Sequence, residues 1–392
     1  MPATVTPHLA HIDFANPWRQ AGARWHWAAG RPVCTWVAHR PDEVAGVLDA
    51  AHEAARQGAW CAGHVRYEAA AAFDPALHTH PAEGPLAWFA AWADVDTDPP
   101  PPCDAAGPAK PLHWALQTDR ARFDLDLDRI HRAIEAGALY QLNLTSAAVA
   151  ALPDVADAEA GQRLFAALLQ AQPGGYAAWL AGDGGQPGAE QVLSVSPELF
   201  LAWRGDELLC RPMKGTAPRS PEPATDRDLS QGLQNSPKER AENVMIVDLL
   251  RNDLSRIALP HSVQVPRLFD VQPLPTVWQM TSDVCARARP GLTLSAAFGA
   301  LFPCGSVTGA PKVAAMDLIR QLEPGPRGVY CGAVGAMAPG GEVRFNVPIR
   351  TVTLHGRVAR CGLGSGITWG SHPDGEWAEW GHKQAFLTQA TA

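Results

Sequence analysis

Tyr140-Gln141-Leu142-Asn143-Leu144-Thr145 alternates apolar and polar residues, the pattern of a half-buried β-strand. Tyr140, Leu142 and Leu144 share one face. If that face is core, Gln141 and Asn143 on the other point to water or into a cavity. Just upstream the period changes: Phe123, Leu127, Ile130 and Ile134 make one stripe of an amphipathic helix, and Gly137 is placed to end it. Further strands are expected at Ala62–Glu68, at Gln191–Leu201 with an interruption at Ser196-Pro197-Glu198, at Gly328–Met337 and at Glu342–Leu354. In the last, Phe345, Val347 and Ile349 alternate with Asn346 and Arg350. Helices are expected at Pro41–Arg56, with Val44, Val47, Leu48 and Ala51 inward, and at Leu164–Gln170.

The chain has 392 residues, 46% of them hydrophobic, enough for one large body or two merged ones. A formal charge of -8 and the absence of any Lys/Arg block argue against nucleic acid or an anionic membrane as partner. No apolar run is long enough to cross a membrane, and Met1–Ala10 lacks the features of a signal peptide, so the cytoplasm is the expected compartment. The eight cysteines contain no Cys-x-x-Cys pair and indicate neither zinc nor a disulfide framework. Pro99–Pro111 is the one clear linker. It divides residues 1–110, expected to be woven into the same body, from residues 111–392.

Three features carry possible chemistry. Lys214 follows the strand-like Leu208-Leu209-Cys210 and precedes Gly215, which lets backbone approach a ligand closely. Taken locally, Lys214 is either a surface turn lysine or a nucleophile at a strand end. Glu239 and Glu242 lie three apart on a helix opened by Ser236-Pro237-Lys238-Glu239 and buried through Val244, Ile246, Val247, Leu249 and Leu250; Glu376 and Glu379 lie three apart on a terminal helix. Each pair is either a solvated face or, if the helices converge, a ligand cluster. In Gly305–Lys312, Thr308 or Gly309 caps a helix with Val313, Met316, Leu318 and Ile319 inward, leaving N–H groups for an anion. Gly362-Leu363-Gly364-Ser365-Gly366 reads as a glycine loop and is a weak dinucleotide signal.

Together these stretches resemble the chorismate-utilising enzymes over roughly Phe123–Phe386. The matching segments are Tyr140–Thr145, Ser196–Glu198, Lys214–Thr216, Asp248–Asp253, Gly305–Lys312, Ile349–Thr351, Gly364–Gly366 and Glu376–Lys383, in the family's order. The resemblance implies an α+β fold, a large α/β sandwich of two face-packed antiparallel sheets with outer helices and the site between the sheets. Members that add water carry a lysine where this chain has Gln141, and members that add ammonia have glutamine there. Lys214 is usually alanine in the anthranilate- and isochorismate-forming branches and lysine in the branch that aminates C4, a transferase of 4-aminobenzoate and folate biosynthesis.

That branch implies attack by the neutral amine of Lys214 on C2 of chorismate, with Glu198 protonating the departing C4 hydroxyl, then ammonia adding at C4 and expelling the lysine. It implies Mg2+ held by Glu242 and Glu379 directly, with Glu239 and Glu376 close or through water, clamping the ring carboxylate. Arg350, Tyr330 and the backbone of Gly364, Ser365 and Gly366 would take the enolpyruvyl carboxylate. Gly215 and Thr216 would line the ring, and Thr308, Gly309 and Ala310 would complete the anion pocket. A separate glutamine amidotransferase subunit is the implied ammonia source. The departures are Gln279, where many relatives have a histidine associated with aromatising chemistry, Ala217 for an arginine, Pro348 for an alanine, and Gln172–Tyr176, which matches the tryptophan-holding segment of regulated relatives only loosely. An anthranilate-forming enzyme and a degenerate amidotransferase-binding subunit are the rival readings.

Overall fold

Local chemistry sets where several helices begin. Ser236 accepts a hydrogen bond from the Glu239 N–H at 3.3 Å and Pro237 takes the first helical position, so the helix Pro237–Ser255 starts where its cap predicts. The helix Pro41–Arg56 begins on its proline and buries Val44, Val47, Leu48 and Ala51. Arg120–Glu135 is capped by Asp119 and followed by Gly137 at φ 72°. The computed structural model describes residues 8–18, 24–99, 111–274 and 277–391. The proline linker and the start of the chain lie largely outside them.

Among the described residues the strands form two antiparallel sheets. One, of nine strands, runs Gly309–Ala310, Gln141–Ala151, Val358–Ile367, Thr351–His355, Gln191–Ser196, Tyr176–Ala181, Ala10–Phe14 and Trp25–Ala29, with Ala115–Leu116 beside Gln141–Ala151. The other, of ten, runs Met213–Pro218, Val277–Arg287, Glu207–Arg211, Leu199–Arg204, Val343–Asn346, Ala333–Met337, Trp60–Val65, Ala87–Trp92 and Cys34–Ala38, with Gln264–Pro273 on Val277–Arg287. Strands from before the linker enter both sheets.

The sheets pack face to face. Ile12, Trp27, Ala178 and Val192 of the first meet Ala62, Trp88, Ala202 and Leu209 of the second in one buried cluster. Each large side chain buried there contributes roughly 1.5–3 kcal/mol. The helices Pro41–Arg56, Pro237–Ser255 and Leu294–Leu301 cover the outside of the ten-stranded sheet, and Ala158–Ala171 and Pro373–Ala390 cover the nine-stranded one. This is the expected sandwich with outer helices.

Several local readings give way. The strand read at Ala62–Glu68 stops at Val65, and Tyr67–Ala72 is a 3-10 turn. Gly328–Met337 shortens to Ala333–Met337. Glu342–Leu354 is two strands, Val343–Asn346 in one sheet and Thr351–His355 in the other, with Arg350 at φ 49° in the crossing. Tyr140 is 65% exposed and does not share the buried face of Leu142 and Leu144. Val244, expected inward, is exposed as well. For the strands, pairing with distant chain overrides the local pattern.

Candidate active site

Two chain crossings between the sheets define the site. At Pro197-Glu198 the chain leaves the nine-stranded sheet for the ten-stranded one, and at Val347–Arg350 it returns. The crossings are tied together: the Val347 N–H donates to the Glu198 carbonyl at 3.0 Å, and the Ser196 hydroxyl donates to the Val347 carbonyl at 2.5 Å. Glu198 is thereby buried between the sheets, with Oε1 lacking any hydrogen-bond partner. Burial pushes its carboxyl up to about 7, against the opposing pull of Ser306, Lys214, the Met213 N–H and Lys383.

Lys214 does not emerge at a strand end. It lies inside the strand Met213–Pro218, where Met213 pairs with Thr281 and Thr216 with Gln279, so that Lys214 and Gly215 together oppose Met280 alone. This bulge re-aims the lysine out of the sheet. Gly215 sits at φ 92°, which favours glycine, and a Cβ there would stand 3.0 Å from Glu239 Oε2, so a larger residue would also press on that carboxylate. The lysine reaches the facing sheet: a Cβ added at Gly366 would lie 2.5 Å from Lys214 Nζ and 2.9 Å from Gln141 Nε2. Gln141 is fully buried, and neither of its side-chain polar atoms has a partner. A buried amide without protein partners, beside a lysine amine, marks this point of the cleft as a candidate binding position.

The glycine segment is not a loop. It lies in the central strand Val358–Ile367, flanked by Gln141–Ala151 and Thr351–His355. Alternation puts Gly362, Gly364 and Gly366 on one face and Ser365 on the other. Ser365 is buried towards the terminal helix, where its hydroxyl accepts from Trp380 Nε1 at 3.1 Å, so its side chain is withdrawn from the cleft. The ring of Tyr330 lies over Gly362, about 13 Å along the strand from Gly366. Tyr330 therefore lines the same glycine face, well apart from Lys214.

The helix after Gly305–Lys312 starts at Lys312, with Pro311 as the cap residue. Thr308 does not cap it, because its hydroxyl donates to the Cys304 carbonyl at 3.1 Å. Gly309 and Ala310 instead pair with Leu142 and Gln141 as an edge strand, and the Thr308 and Ala310 carbonyls accept from the Asn143 and Tyr140 N–H groups at 2.8 and 2.7 Å, so this segment supports the Gln141 strand. Val313, expected inward, is exposed. Arg350 bonds the side-chain oxygen of Gln172, and burial lowers its guanidinium to about 10. It lines a cleft with Gln172, Gly174, Val195 and Pro197. The Thr216 hydroxyl donates to Gln279 Oε1 at 3.1 Å.

The carboxylates of the two acidic helices come within electrostatic range of one another. Burial raises the Glu239 carboxyl, and the charges of Glu379 and Glu376 add to it. Burial likewise raises Glu242, with Glu239 and Glu376 adding and Lys214 opposing. Burial would raise Glu379 too, but Lys383, with Lys214 and Lys238, outweighs it and holds that carboxylate low. Glu376 accepts from the Ser371 hydroxyl at 2.7 Å through Oε1, while its buried Oε2 has no partner. Lys383 joins the site unannounced: its ammonium meets Glu379 at 2.6 Å and donates to the Gly364 carbonyl at 2.7 Å. Its spacing four residues after Glu379 on the terminal helix was the available signal.

A cleft between two sheets gathers a lysine, a buried glutamate whose carboxyl is pushed up, and the carboxylates of two helices, and this is the candidate site. The chorismate binding enzyme family matches residues 20–389, and the chain belongs to that family. It is 37% identical over 266 residues to aminodeoxychorismate synthase component 1 of Salmonella typhimurium, covering 68% of this chain and 56% of that protein. It is 36% identical over 279 residues to anthranilate synthase component 1 of Streptomyces coelicolor, covering 70% of this chain and 52% of that protein. The chain thus spans little more than half the length of these curated relatives. The crystal structure of anthranilate synthase component I from Streptococcus pneumoniae shares the fold, with a TM-score of 0.74 at 23% identity over 97% of this chain and 90% of that one.

Proposed function

We propose that the chain aminates chorismate at C4, giving 4-amino-4-deoxychorismate through a covalent adduct on Lys214. The observation that carries this reading is the bulge that delivers the Lys214 amine to Gly366 and Gln141, with Glu198 buried beside it. The amine lone pair forms a bond to C2, the ring double bonds shift, and the C4–O bond breaks as Glu198 supplies the proton that lets water leave. Ammonia then bonds to C4, the double bonds shift back, and the C2–N bond breaks to restore Lys214. Gln141 fits ammonia better than water, since an amide orients a nucleophile but does not deprotonate it.

Mg2+ is part of the proposal. Hard carboxylate oxygens on the two acidic helices, one of them the unpartnered Oε2 of Glu376, suit the ion. Among the described residues no ready-made group of three such side chains could hold a metal by itself, which fits an ion that takes one or two carboxylates and completes its shell with water and substrate. When bound, it would neutralise the ring carboxylate. Glu242 and Glu379 are the proposed ligands, and Lys383 orients Glu379. Glu242→Gln and Glu379→Gln should each raise the Mg2+ concentration for half-maximal activity by at least about tenfold. An unchanged midpoint in both would remove them from the ligand set.

Arg350 would exchange Gln172 for the enolpyruvyl carboxylate, a bidentate partner that matches its fork. Free ammonia is scarce near neutral pH because ammonium predominates, so a glutamine amidotransferase subunit is the proposed source. Among the described residues no helix is long and apolar enough to cross a membrane. The cysteines described are free thiols, which suits the cytoplasm. The test is product identification: with chorismate, Mg2+ and ammonium chloride, mass spectrometry should find 4-amino-4-deoxychorismate and no anthranilate. Fluorescent anthranilate formed by the chain alone would favour the rival assignment.

A further inference from the structure

The bulge that presents Lys214 interrupts the ladder, and an interrupted ladder leaves backbone groups in need of partners. The Gly215 carbonyl finds one in a side chain: Gln279 Nε2 donates to it at 2.8 Å. The other end of the same amide, Oε1, accepts from the Thr216 hydroxyl at 3.1 Å. Gln279 is 7% exposed and sits directly opposite Thr216 in the strand Val277–Arg287. One side chain therefore holds the two residues that follow Lys214.

We propose that Gln279 is a positioning residue whose amide clamps Gly215 and Thr216 and so sets the direction in which Lys214 leaves the strand. The position needs one donor and one acceptor on a single planar group, which an amide supplies. Alanine supplies neither, and an ionised carboxylate supplies acceptors only and faces the Gly215 carbonyl with like polarity. A lysine freed from this clamp would sample orientations away from Gly366, so the loss falls on the chemical step rather than on substrate capture. The inference rests on Lys214 as nucleophile, and its test has one arm that does not.

That arm is trace reductive methylation of the intact protein with formaldehyde and cyanoborohydride, with Lys214 quantified by peptide mass spectrometry against Lys312. Gln279→Ala should change the labelling rate of Lys214 by at least about fivefold. In turnover it should lower kcat at least about tenfold, with KM for chorismate within about threefold. Gln279→Glu should match the alanine variant at about pH 8 and recover towards wild type at about pH 5.5, each rate taken relative to wild type at that pH, because a protonated carboxyl regains the donor. The glutamate variant also keeps the test open if the alanine variant does not fold. Labelling and kcat both within about twofold of wild type in the alanine variant would overturn the clamp, as would a raised KM at unchanged kcat. Altered labelling in an enzyme whose turnover does not depend on Lys214 would leave the clamp standing and remove the nucleophile reading alone.

Discussion

Lys214→Ala is expected to slow formation of 4-amino-4-deoxychorismate by at least about a thousandfold and to abolish any covalent chorismate adduct in the intact-protein mass. The argument is geometric. Lys214 is the extra residue of a bulge, and its amine crosses to the facing sheet at Gly366, where the glycine face offers no side chain to compete for the substrate. Removing the amine removes the atom that bonds to C2 and leaves the rest of the cleft in place. The substitution should cost little stability, because the ladder pairs Met213–Thr281 and Thr216–Gln279 do not use the lysine side chain. Chorismate binding should survive through Arg350 and the acidic helices. Turnover unchanged in this variant would refute the covalent route outright.

Glu198→Gln is the second large effect. Glutamine keeps the shape but cannot release a proton, so kcat should fall by about 10²–10⁴. The pH dependence distinguishes an acid from a spacer. With its carboxyl at about 7 in the folded protein, Glu198 is protonated and competent below that pH and loses competence above it. Wild-type kcat/KM for chorismate, which reports groups of the free enzyme, should therefore fall with rising pH above about 7, and this limb should vanish in the glutamine variant.

Stability gives an independent reading of the same group. Between 4.5 and about 7 the folded protein keeps a proton that the unfolded chain has released. The folded state binds more protons in that window, so wild-type stability decreases as pH rises through it. Glutamine carries no such dependence, and Glu198→Gln should gain about 1–3 kcal/mol relative to wild type at about pH 8, measured by denaturant unfolding. An inactive but more stable variant is the expected signature of a buried acid kept for chemistry.

Much of the candidate site was readable because it depends on residue types at fixed local spacing. Glu239 with Glu242 and Glu376 with Glu379 share helix faces by spacing alone, and the Ser236-Pro237 cap set where the first of those helices begins. The Gln141 strand declared its polar inner face through alternation, and the structure buries that face. The failures have a common cause. Gly362–Gly366 read as a glycine loop, yet it pairs with Ala147–Asn143 inside the strand Val358–Ile367, and alternation sends the Ser365 side chain onto Trp380. Thr308 read as a cap, yet the helix begins only at Lys312, after Gly309 and Ala310 have paired with the Gln141 strand. Gln279 read as a mere departure, and its role depends on a strand partner 63 residues away in sequence.

The sequence by itself determined the helices at Pro41–Arg56 and Pro237–Ser255 with their starts, the alternation of the Gln141 strand and the set of motifs that mark the family, because each rests on contacts within a few residues of one another. Only the tertiary structure decided which face each glycine presents, that the carboxylates of the two acidic helices act on one another, that Val343–Asn346 and Thr351–His355 belong to different sheets, and that Lys214 stands in a bulge. Those outcomes are set by strand register, and register is a hydrogen-bond match between segments far apart in the chain, where a shift of one residue sends every side chain to the other face.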